Sequence, residues 1–208
     1  MTKKVTLIDY GMGNVESLKN AVKKLGFQYA FYSEKNEISS NIVIIPGVGG
    51  FNHASDLFKK KKIDAKIIKF TEDKNNFLIG ICLGMQLFLT YGNENGKSNG
   101  LNLIKGSVDI ISELKQHRLP NVGWKKTYIK ERKNFIDLKE FDKEKFYYVH
   151  SYKVNPKKNE NVIGYSDFNG LQFTSIITNG HNVIGTQFHP EKSGEIGLQF
   201  LERLISKI

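Results

Sequence analysis

The segment Phe77–Gln86 constrains the fold most, because it joins a buried strand to a helix through the only cysteine of the 208-residue chain. The run Phe77–Ile81 has the length and apolar character of a buried strand. Helical spacing begins at Leu83 and continues to a stop at Gly92. Cys82 lies at the change from one pattern to the other.

Two glycines flank Cys82 at the spacing of a nucleophile elbow. Gly80 and Gly84 lie two residues to either side, and a sharp strand-to-helix turn needs small residues at these positions because the backbone is crowded there. Such a turn lifts the central side chain out of the fold and places it at a helix N-terminus, where the macrodipole favours thiolate over thiol. The spacing therefore predicts that Cys82 is a nucleophile, although free cysteine also packs in cores.

The first half of the chain alternates between strand and helix patterns, which indicates a parallel sheet covered on both faces. The predicted strands before the elbow are Val5–Tyr10, Phe27–Tyr32 and Asn41–Ile45, and the predicted helices are Val15–Leu25, with Asn14 as N-cap and Gly26 after its end, the stretch from Phe51 through Phe58, and Ile63–Phe70.

The second half is dominated by short strand patterns, and we expect residues 1–208 to form one domain because no linker or repeat divides them. Strands are predicted around Val108 and Thr127 and over Tyr147–Val154, Val162–Ser166, Thr174–Thr178 and Val183–Phe188, and a last helix over Glu195–Ile205 with Ser193 near its cap. Asn179-Gly180 predicts a two-residue hairpin. The charged stretch Lys130–Lys145 is interpreted as surface loops and a short helix.

Composition narrows the class of protein. The net charge of +10 comes mostly from lysine, and these lysines are scattered, so we interpret them as a solvated surface rather than a nucleic-acid site. No apolar stretch approaches the ~20 residues that span a bilayer, and the apolar run near the N-terminus is too short for a signal peptide. A single cysteine allows no internal disulfide, so we expect a cytoplasmic protein. From the scattered lysines and the short apolar stretches we expect no nucleic-acid or membrane partner.

A cysteine nucleophile needs a base, and His189 is the best candidate among five histidines. It ends a strand pattern and is followed by Pro190, which favours an extended conformation at His189. Side chains two residues apart in an extended segment point the same way. Glu191 is therefore predicted to bind one imidazole nitrogen while the other faces Cys82.

The glycine-rich loop Pro46–Gly50 follows the third predicted strand. Its glycines permit a tight turn, and they also let backbone N–H groups approach a substrate carbonyl whose oxygen gains negative charge. A second N–H would come from Leu83, directly after the nucleophile. A dinucleotide site at Gly11-Met12-Gly13 is rejected because Glu16 stands where the fingerprint needs glycine, and no cofactor or metal is expected.

These motifs, in this order, resemble those of the class I, triad-type glutamine amidotransferases. The resemblance rests on Gly80-Ile-Cys-Leu-Gly-Met-Gln86, Pro46-Gly-Val-Gly49 and His189-Pro-Glu191, and it narrows to the glutaminases of imidazole glycerol phosphate synthases through Val122-Gly-Trp124 and Tyr148-Val-His-Ser-Tyr152. It covers essentially the whole chain.

The resemblance implies a flavodoxin-like α/β/α fold, with a mostly parallel central sheet and additional antiparallel strands in the C-terminal half. It implies hydrolysis of glutamine to glutamate and ammonia. The ammonia would pass through a heterodimer interface to a (β/α)₈ cyclase, which converts PRFAR to imidazole glycerol phosphate and AICAR in histidine biosynthesis.

The resemblance also assigns roles residue by residue. The implied triad is Cys82, His189 and Glu191, and Val48 and Leu83 would supply the oxyanion-hole N–H groups. The implied glutamine-binding residues are Gly47, Gly49, Gln86, Ser151 and Tyr152. The implied partner interface and gate contain Asn14, Trp124, Tyr147 and Lys192.

Several alternatives stay open at this stage. Gly50, Asn121 and Lys125 depart from the commoner residues of the family, so the partner could be the cyclase-like protein of a paralogous pair that feeds ammonia into surface-sugar biosynthesis. Glutaminases for anthranilate, pyridoxal phosphate or nucleotide synthesis are disfavoured by Gly84-Met85-Gln86. A cysteine peptidase, a chaperone-like hydrolase or a non-catalytic binding module on the same fold is disfavoured by the complete set of motifs.

Overall fold

The first half of the chain folds into alternating strands and helices, as its hydrophobic pattern predicts. The computed structural model describes residues 3–32, 37–112, 118–130 and 135–207. The elements of this half are β1 (Lys4–Ile8), α1 (Val15–Lys24), β2 (Gln28–Tyr32), β3 (Ile42–Ile45), α2 (Phe51–Lys60), α3 (Ile63–Glu72), β4 (Phe77–Ile81) and the one-turn helix α4 (Leu83–Gln86). Asn14 caps α1, because its side chain accepts a hydrogen bond from the Ser17 N–H.

The second half is rich in short strands, as predicted. These are β5 (Tyr91–Gly92), β6 (Ser98–Asn99), β7 (Gly106–Ile110), β8 (Asn121–Lys126), β9 (Tyr128–Ile129), β10 (Lys145–His150), β11 (Tyr152–Pro156), β12 (Val162–Phe168), β13 (Leu171–Thr178) and β14 (Val183–Thr186), followed by α5 (Gly194–Ser206). Short 3₁₀ turns occupy Lys139–Phe141, Asn159–Asn161 and Pro190–Lys192.

The central sheet combines parallel and antiparallel strands in the order β2-β1-β3-β4-β14-β13-β12-β9. The first five strands are mutually parallel, and β13, β12 and β9 continue the sheet with antiparallel pairings. A separate two-stranded ribbon pairs β8 with β10, and a third sheet has the order β11-β7-β5-β6. The predicted mostly parallel sheet with antiparallel strands from the C-terminal half is confirmed.

Helices cover the parallel part of the sheet on both faces, which gives a three-layer α/β/α architecture. The strand β3 shows why: Ile42 and Ile44 pack into one core with α1 and α5, whereas Val43 and Ile45 pack into the other with α2 and α3. A strand buried on both faces must be apolar throughout, and β3 and β4 are.

The helix after Cys82 is much shorter than predicted. It ends at Gln86, and Tyr91–Gly92 forms a strand. Tertiary hydrogen bonds stop the helix, because the backbone carbonyls of residues 87, 88 and 89 accept from the N–H groups of residues 101, 104 and 102. A single turn carries little macrodipole, so the predicted helix-dipole stabilisation of a Cys82 thiolate loses most of its basis.

Three smaller predictions were also wrong in detail. The hairpin at Asn179 has a four-residue loop rather than two residues, because the Asn179 side chain accepts hydrogen bonds from the N–H groups of residues 181, 182 and 183. The strand predicted over Tyr147–Val154 is split at Ser151 into β10 and β11. The stretch Lys130–Lys145, of which 131–134 lie outside the described residues, contains a short helix as predicted, the 3₁₀ turn Lys139–Phe141. It is not all surface, because three of its apolar side chains are buried in the core, namely Ile136, Leu138 and Phe141.

Candidate active site

Loops that follow the parallel strands converge at the carboxyl edge of the sheet. The loop after β3 lies against both the loop after β1 and the turn after β4: a Cβ atom added to Gly47 would lie 2.6 Å from the Tyr10 hydroxyl and 2.8 Å from Cβ of Leu83. The carboxyl edge is where open α/β sheets bind ligands. The predicted oxyanion loop and the predicted nucleophile turn are therefore neighbours.

Cys82 has the strained backbone of an elbow, with φ 54° and ψ −108°. A non-glycine residue rarely has a positive φ, and the strain is tolerated where the surrounding structure enforces it. Here the turn is packed tightly on both sides of Cys82. A Cβ atom added to Gly84 would collide with the Ile45 carbonyl oxygen, and one added to Gly80 would collide with the Phe88 ring. The sequence prediction of a sharp turn with obligatory small flanks is met by this geometry.

The Cys82 side chain is only 6% exposed, although the turn was expected to lift it out of the fold. The ribbon of β8 and β10 accounts for the difference, because it covers the sulfur: the Val149 carbonyl oxygen lies 3.9 Å from Sγ of Cys82. The sulfur thus leaves the sheet but stays inside the molecule.

His189 and Glu191 form a buried pair. Nδ1 of His189 lies 2.8 Å from Oε1 of Glu191, and the side chains are 2% and 4% exposed. Glu191 reaches the ring through a 3₁₀ turn that begins at Pro190, rather than through the extended segment that the sequence suggested. The turn is fixed because Ser193 Oγ donates to the His189 carbonyl and accepts from the Tyr147 N–H.

The other imidazole nitrogen faces the nucleophile. Within the described ranges, Nε2 of His189 is buried and makes no hydrogen bond of normal geometry. Burial by itself lowers the pKa of His189. The charge of Cys82 as a thiolate, a hydrogen bond with that sulfur and the Glu191 carboxylate together outweigh burial and raise the pKa to about 10. The arrangement leaves Nε2 of His189 to interact with Cys82, as a cysteine–histidine pair requires.

Two glutamine side chains, Gln86 and Gln187, form a polar wall beside the Cys82 sulfur. Gln86 Nε2 donates to the Tyr152 carbonyl at 3.3 Å and to Oε1 of Gln187 at 3.1 Å, and Gln187 Nε2 lies 3.5 Å from Sγ of Cys82. Sequence reasoning identified Gln86 and Tyr152 but missed Gln187. Its signal was present, because Gln187 is a polar residue at the end of a buried strand, two positions before His189 and thus on the same side.

Further polar residues extend this wall toward the ribbon. His150 Nδ1 donates to the Tyr152 carbonyl at 2.8 Å, and Asn121 Nδ2 donates to His150 Nε2 at 2.9 Å. Burial lowers the pKa of His150 to about 4 against the opposing effect of its hydrogen bond to the Tyr152 carbonyl, and the charge of His189 adds a smaller lowering effect. His150 is therefore neutral, which fits its two roles as donor at Nδ1 and acceptor at Nε2.

The remaining predicted substrate residues lie around the same space. Gly47 is buried in the loop, whereas Gly49 is exposed with φ 104°, a conformation that favours glycine. Ser151 and Tyr152 follow β10 directly. Tyr10, which sequence reasoning did not single out, places a buried hydroxyl against Gly47 that has no hydrogen-bond partner among the described residues.

Glu94 is a further residue that sequence reasoning missed. One carboxylate oxygen accepts a hydrogen bond of 2.6 Å from the Phe51 N–H, at the start of α2, and an added Cβ at Gly50 would lie 3.5 Å from the carboxylate. Burial, and then the charge of Glu94, raise the pKa of Tyr152. Glu94 therefore places negative charge between the oxyanion loop and Tyr152. It lies in a polar loop, and its only sequence signal is its charge.

Three of the predicted interface residues lie on or near the ribbon, and Asn14 lies at the start of α1. Trp124 is 52% exposed and makes an edge-to-face contact with Tyr147, with ring centroids 6.2 Å apart. Lys192 is exposed in the turn that also carries Glu191. Asn14 is half-buried, and its side chain is engaged as the cap of α1. The structure thus brings Trp124 and Tyr147 together and gives Asn14 a structural bond.

Metal-binding clusters and membrane-spanning helices are both absent from the described ranges. No group of three or more histidine, cysteine, aspartate or glutamate side chains suited to a metal ion occurs among the described residues. No helix among them is long and apolar enough to cross a bilayer.

Comparison with known proteins gives consistent matches over the whole chain. The profile of the family "Glutamine amidotransferase class-I" matches residues 6–206. "Imidazole glycerol phosphate synthase subunit HisH" of Bacillus cereus is 41% identical over 199 residues, which cover 95% of this chain and 92% of that protein. "Imidazole glycerol phosphate synthase hisHF, chloroplastic" of Arabidopsis thaliana is 37% identical over 203 residues, or 97% of this chain and 34% of that one.

A solved structure matches the fold at much lower sequence identity. "Structure of PurLQS from Thermotoga maritima" includes a chain that superposes with a TM-score of 0.77 at 18% identity, covering 99% of both chains. At that identity the match shows the fold alone.

Proposed function

This chain belongs to the class-I glutamine amidotransferase family and, within it, to the imidazole glycerol phosphate synthase HisH subunits, and we propose the following function for it. It hydrolyses glutamine to glutamate and ammonia and delivers the ammonia for imidazole glycerol phosphate synthesis in histidine biosynthesis. The observation that carries the chemistry is the buried set of Cys82, His189 and Glu191, in which each member faces the next.

The proposed reaction proceeds through a thioester. The Cys82 thiolate attacks the side-chain carbonyl carbon of glutamine, and the C–N bond breaks as His189 protonates the departing ammonia. His189 then takes a proton from water, the hydroxide adds to the thioester carbon, and the C–S bond breaks to release glutamate. Glu191 orients the ring and stabilises the imidazolium without accepting the proton outright.

Substrate binding is assigned to the polar groups around the sulfur. Gln86 directs its amide nitrogen into the protein, which leaves its carbonyl oxygen to face the amino acid end of glutamine. Glu94 supplies the negative charge that suits an α-ammonium group. Gly47, Gly49, Ser151 and Tyr152 provide backbone groups along the same cleft, and a side chain at Gly47 would collide with the Tyr10 hydroxyl and with Leu83.

The oxyanion hole is assigned to the N–H groups of Val48 and Leu83. The glycines around Val48 can exchange φ/ψ wells at low cost, so one peptide of the loop can present either C=O or N–H to the site. Misplacing one oxyanion donor costs about two to three orders of magnitude in rate. We propose that the loop turns the Val48 N–H toward the site, and so completes the oxyanion hole, only when the partner and its ligand bind. Glutamine is then not hydrolysed when the ammonia cannot be used.

The partner is proposed to be a (β/α)₈ cyclase subunit that forms a heterodimer with this chain. The relative from Arabidopsis carries an additional region beyond the length that this chain matches, and its name joins hisH to hisF. Trp124, Tyr147 and Lys192 lie on the face that would meet the cyclase. Asn14 follows Gly13, where an added Cβ would lie 3.4 Å from the Gly47 backbone in the oxyanion loop. Ammonia would pass across that face, in a protein that we place in the cytoplasm.

Labelling with an electrophilic glutamine analogue tests the nucleophile assignment. The analogue should form one covalent adduct, located on Cys82 by mass spectrometry, and excess glutamine should protect against it. A Cys82→Ser variant serves as the matched control and should form no thioether. An adduct at another residue, or labelling that glutamine does not slow, would contradict the proposed function.

A further inference from the structure

Gln187 is a buried amide that contacts the reacting sulfur. It has 0% exposure at the end of β14, and its Nε2 lies 3.5 Å from Sγ of Cys82. Burying an amide away from water costs free energy unless its polar atoms find partners. An apolar residue at this position would pack against the sulfur without that cost, so the amide requires an explanation.

The hydrogen bonds around Gln187 fix which end of its amide faces Cys82. Gln86 uses Nε2 to donate both to the Tyr152 carbonyl and to Gln187. Because a donor requires an acceptor opposite, Gln187 must present its oxygen to Gln86 and its NH₂ group to the sulfur. Rotating the amide by 180° would place two NH₂ groups together and an oxygen against a thiolate.

The orientation is supported over a longer distance. The Tyr152 carbonyl that receives the Gln86 bond also receives one from His150, which in turn accepts from Asn121 on β8. Every member of this chain of hydrogen bonds is a side chain with less than a tenth of its surface exposed or a backbone carbonyl. The donor aimed at Cys82 is therefore held by a buried network that begins on the ribbon.

We propose that Gln187 is a catalytic residue that donates an N–H hydrogen bond to the Cys82 sulfur and stabilises its thiolate. The proposal rests on the proposed function, in which the thiolate occurs twice. It is the attacking species, and it is the leaving group when hydroxide displaces it from the thioester carbon and the C–S electron pair returns to sulfur. Charge-assisted hydrogen bonds are the stronger class, so the donor acts most on these states.

The short helix makes this donor more important. The turn after Cys82 contains only four helical residues, so the macrodipole contributes little to the thiolate. The positive charge of His189 and the N–H of Gln187 then favour the thiolate from two directions, while the Val149 carbonyl oxygen at 3.9 Å opposes it. Tyr10, whose pKa is raised by burial and then by the charge of Cys82, is a further titratable group near the sulfur. Removal of the amide should therefore reduce the acidity of the thiol measurably.

The single cysteine of the chain allows a direct test without glutamine. The rate of alkylation of Cys82 by iodoacetamide is measured from pH 5 to 10 in the full chain and in Gln187→Leu and Gln187→Glu. The midpoint of the profile should rise by about one to two pH units in Gln187→Leu. It should rise further in Gln187→Glu, because a carboxylate opposes the thiolate. Gln172→Leu, at an exposed glutamine of β13, should leave the midpoint unchanged.

Equal midpoints in the wild-type chain and both Gln187 variants, with circular dichroism unchanged, would overturn the proposal and leave Gln187 a structural residue. If Gln187→Leu does not fold, Gln187→Met, which keeps the length of the side chain, takes its place under the same criterion. A shifted midpoint in a chain that never hydrolyses glutamine would retain the Gln187 bond and contradict the proposed function instead.

Discussion

The two sides of the candidate site differ in how completely the chain builds them. On the nucleophile side, Cys82, His189 and Gln187 are buried and connected by hydrogen bonds or facing charges. On the partner side, Val48 is 41% and Trp124 52% exposed. Val122 is also 51% exposed and lies on the same strand as Trp124, and apolar side chains exposed together mark interaction surfaces.

The buried turn at Cys82 and the exposed loop around Val48 fit two different roles in the proposed function, the reaction itself and its control by the partner. The strained turn at Cys82 is held by close packing of Gly80 against Phe88 and of Gly84 against Ile45. These contacts lie within the chain, so they position the sulfur whether or not a partner is present. The oxyanion loop is bounded instead by an exposed Val48, an exposed Gly49 with positive φ and a Tyr10 hydroxyl that lacks a partner among the described residues. The folded chain thus fixes Cys82, the proposed nucleophile, and leaves the proposed oxyanion hole dependent on its surroundings.

Cys82→Ala should produce the largest effect, because it removes the nucleophile. Glutamine-dependent turnover should fall by roughly six orders of magnitude, as for a lost nucleophile in other covalent mechanisms. Synthesis by the partner from added ammonium salts should persist, since the cyclase site is elsewhere. Glutaminase activity and ammonia-dependent synthesis are measured on the same complex, and substantial glutamine hydrolysis in the variant would exclude Cys82 as the nucleophile.

Glu191→Gln should produce the next largest effect. The amide can still contact the imidazole but cannot stabilise its positive charge, so glutaminase kcat should fall by about two to four orders of magnitude with little change in fold. Steady-state kinetics and a thermal melt measure the two quantities. Activity near that of the wild type would remove Glu191 from the proposed triad.

Acid should destabilise the nucleophile side through His150. Its pKa in the folded chain, lowered to about 4 by burial, lies below the ordinary value of about 6.5 that it regains on unfolding. The unfolded chain therefore binds the proton first, and stability is lost as the pH falls from about 6.5 to about 4, by roughly 3 kcal/mol in total.

Denaturant unfolding at several pH values tests this expectation. His150→Gln should flatten the loss of unfolding free energy over that interval, whereas His181→Gln, at an exposed histidine, should not. A wild-type pH dependence that His150→Gln leaves unchanged would show that His150 is not its source.

Trp124→Ala should weaken the partner side while sparing the nucleophile side. Exposed aromatic residues at the centre of an interface contribute about 2 kcal/mol or more, so affinity for the cyclase should fall by roughly 30-fold. Titration calorimetry measures the affinity, and the alkylation profile of Cys82 should be unchanged. Unaltered affinity would place the interface on another face of the molecule.

The sequence predicted the parallel core well because local patterns determine it. Strands buried on both faces, such as β3 and β4, must be apolar throughout, and the spacing of Gly80, Cys82 and Gly84 allows few alternatives to a sharp turn. The same spacing did not reveal the length of the following helix. Residues 87–89 are buried and fit a helical pattern, yet their carbonyl groups bind the backbone of residues 101–104, which are distant in sequence.

The site was predictable to the extent that its residues share motifs. The His189–Glu191 pairing followed from their spacing, although a 3₁₀ turn rather than an extended segment produces it. Gln187, Glu94 and Tyr10 come together from separate elements, and only the fold shows that they do. The burial of Cys82 also depends on the ribbon, whose position over the elbow has no local signal.

The central claim is that the partner completes an oxyanion hole for a nucleophile that is already in place. Steady-state glutaminase activity of this chain, measured alone and then with the cyclase and its ribulosyl phosphate ligand, tests it most directly. The account predicts very slow hydrolysis by the isolated chain and an acceleration of about two to three orders of magnitude in the liganded complex, expressed mainly in kcat. Full activity in the isolated chain would contradict it.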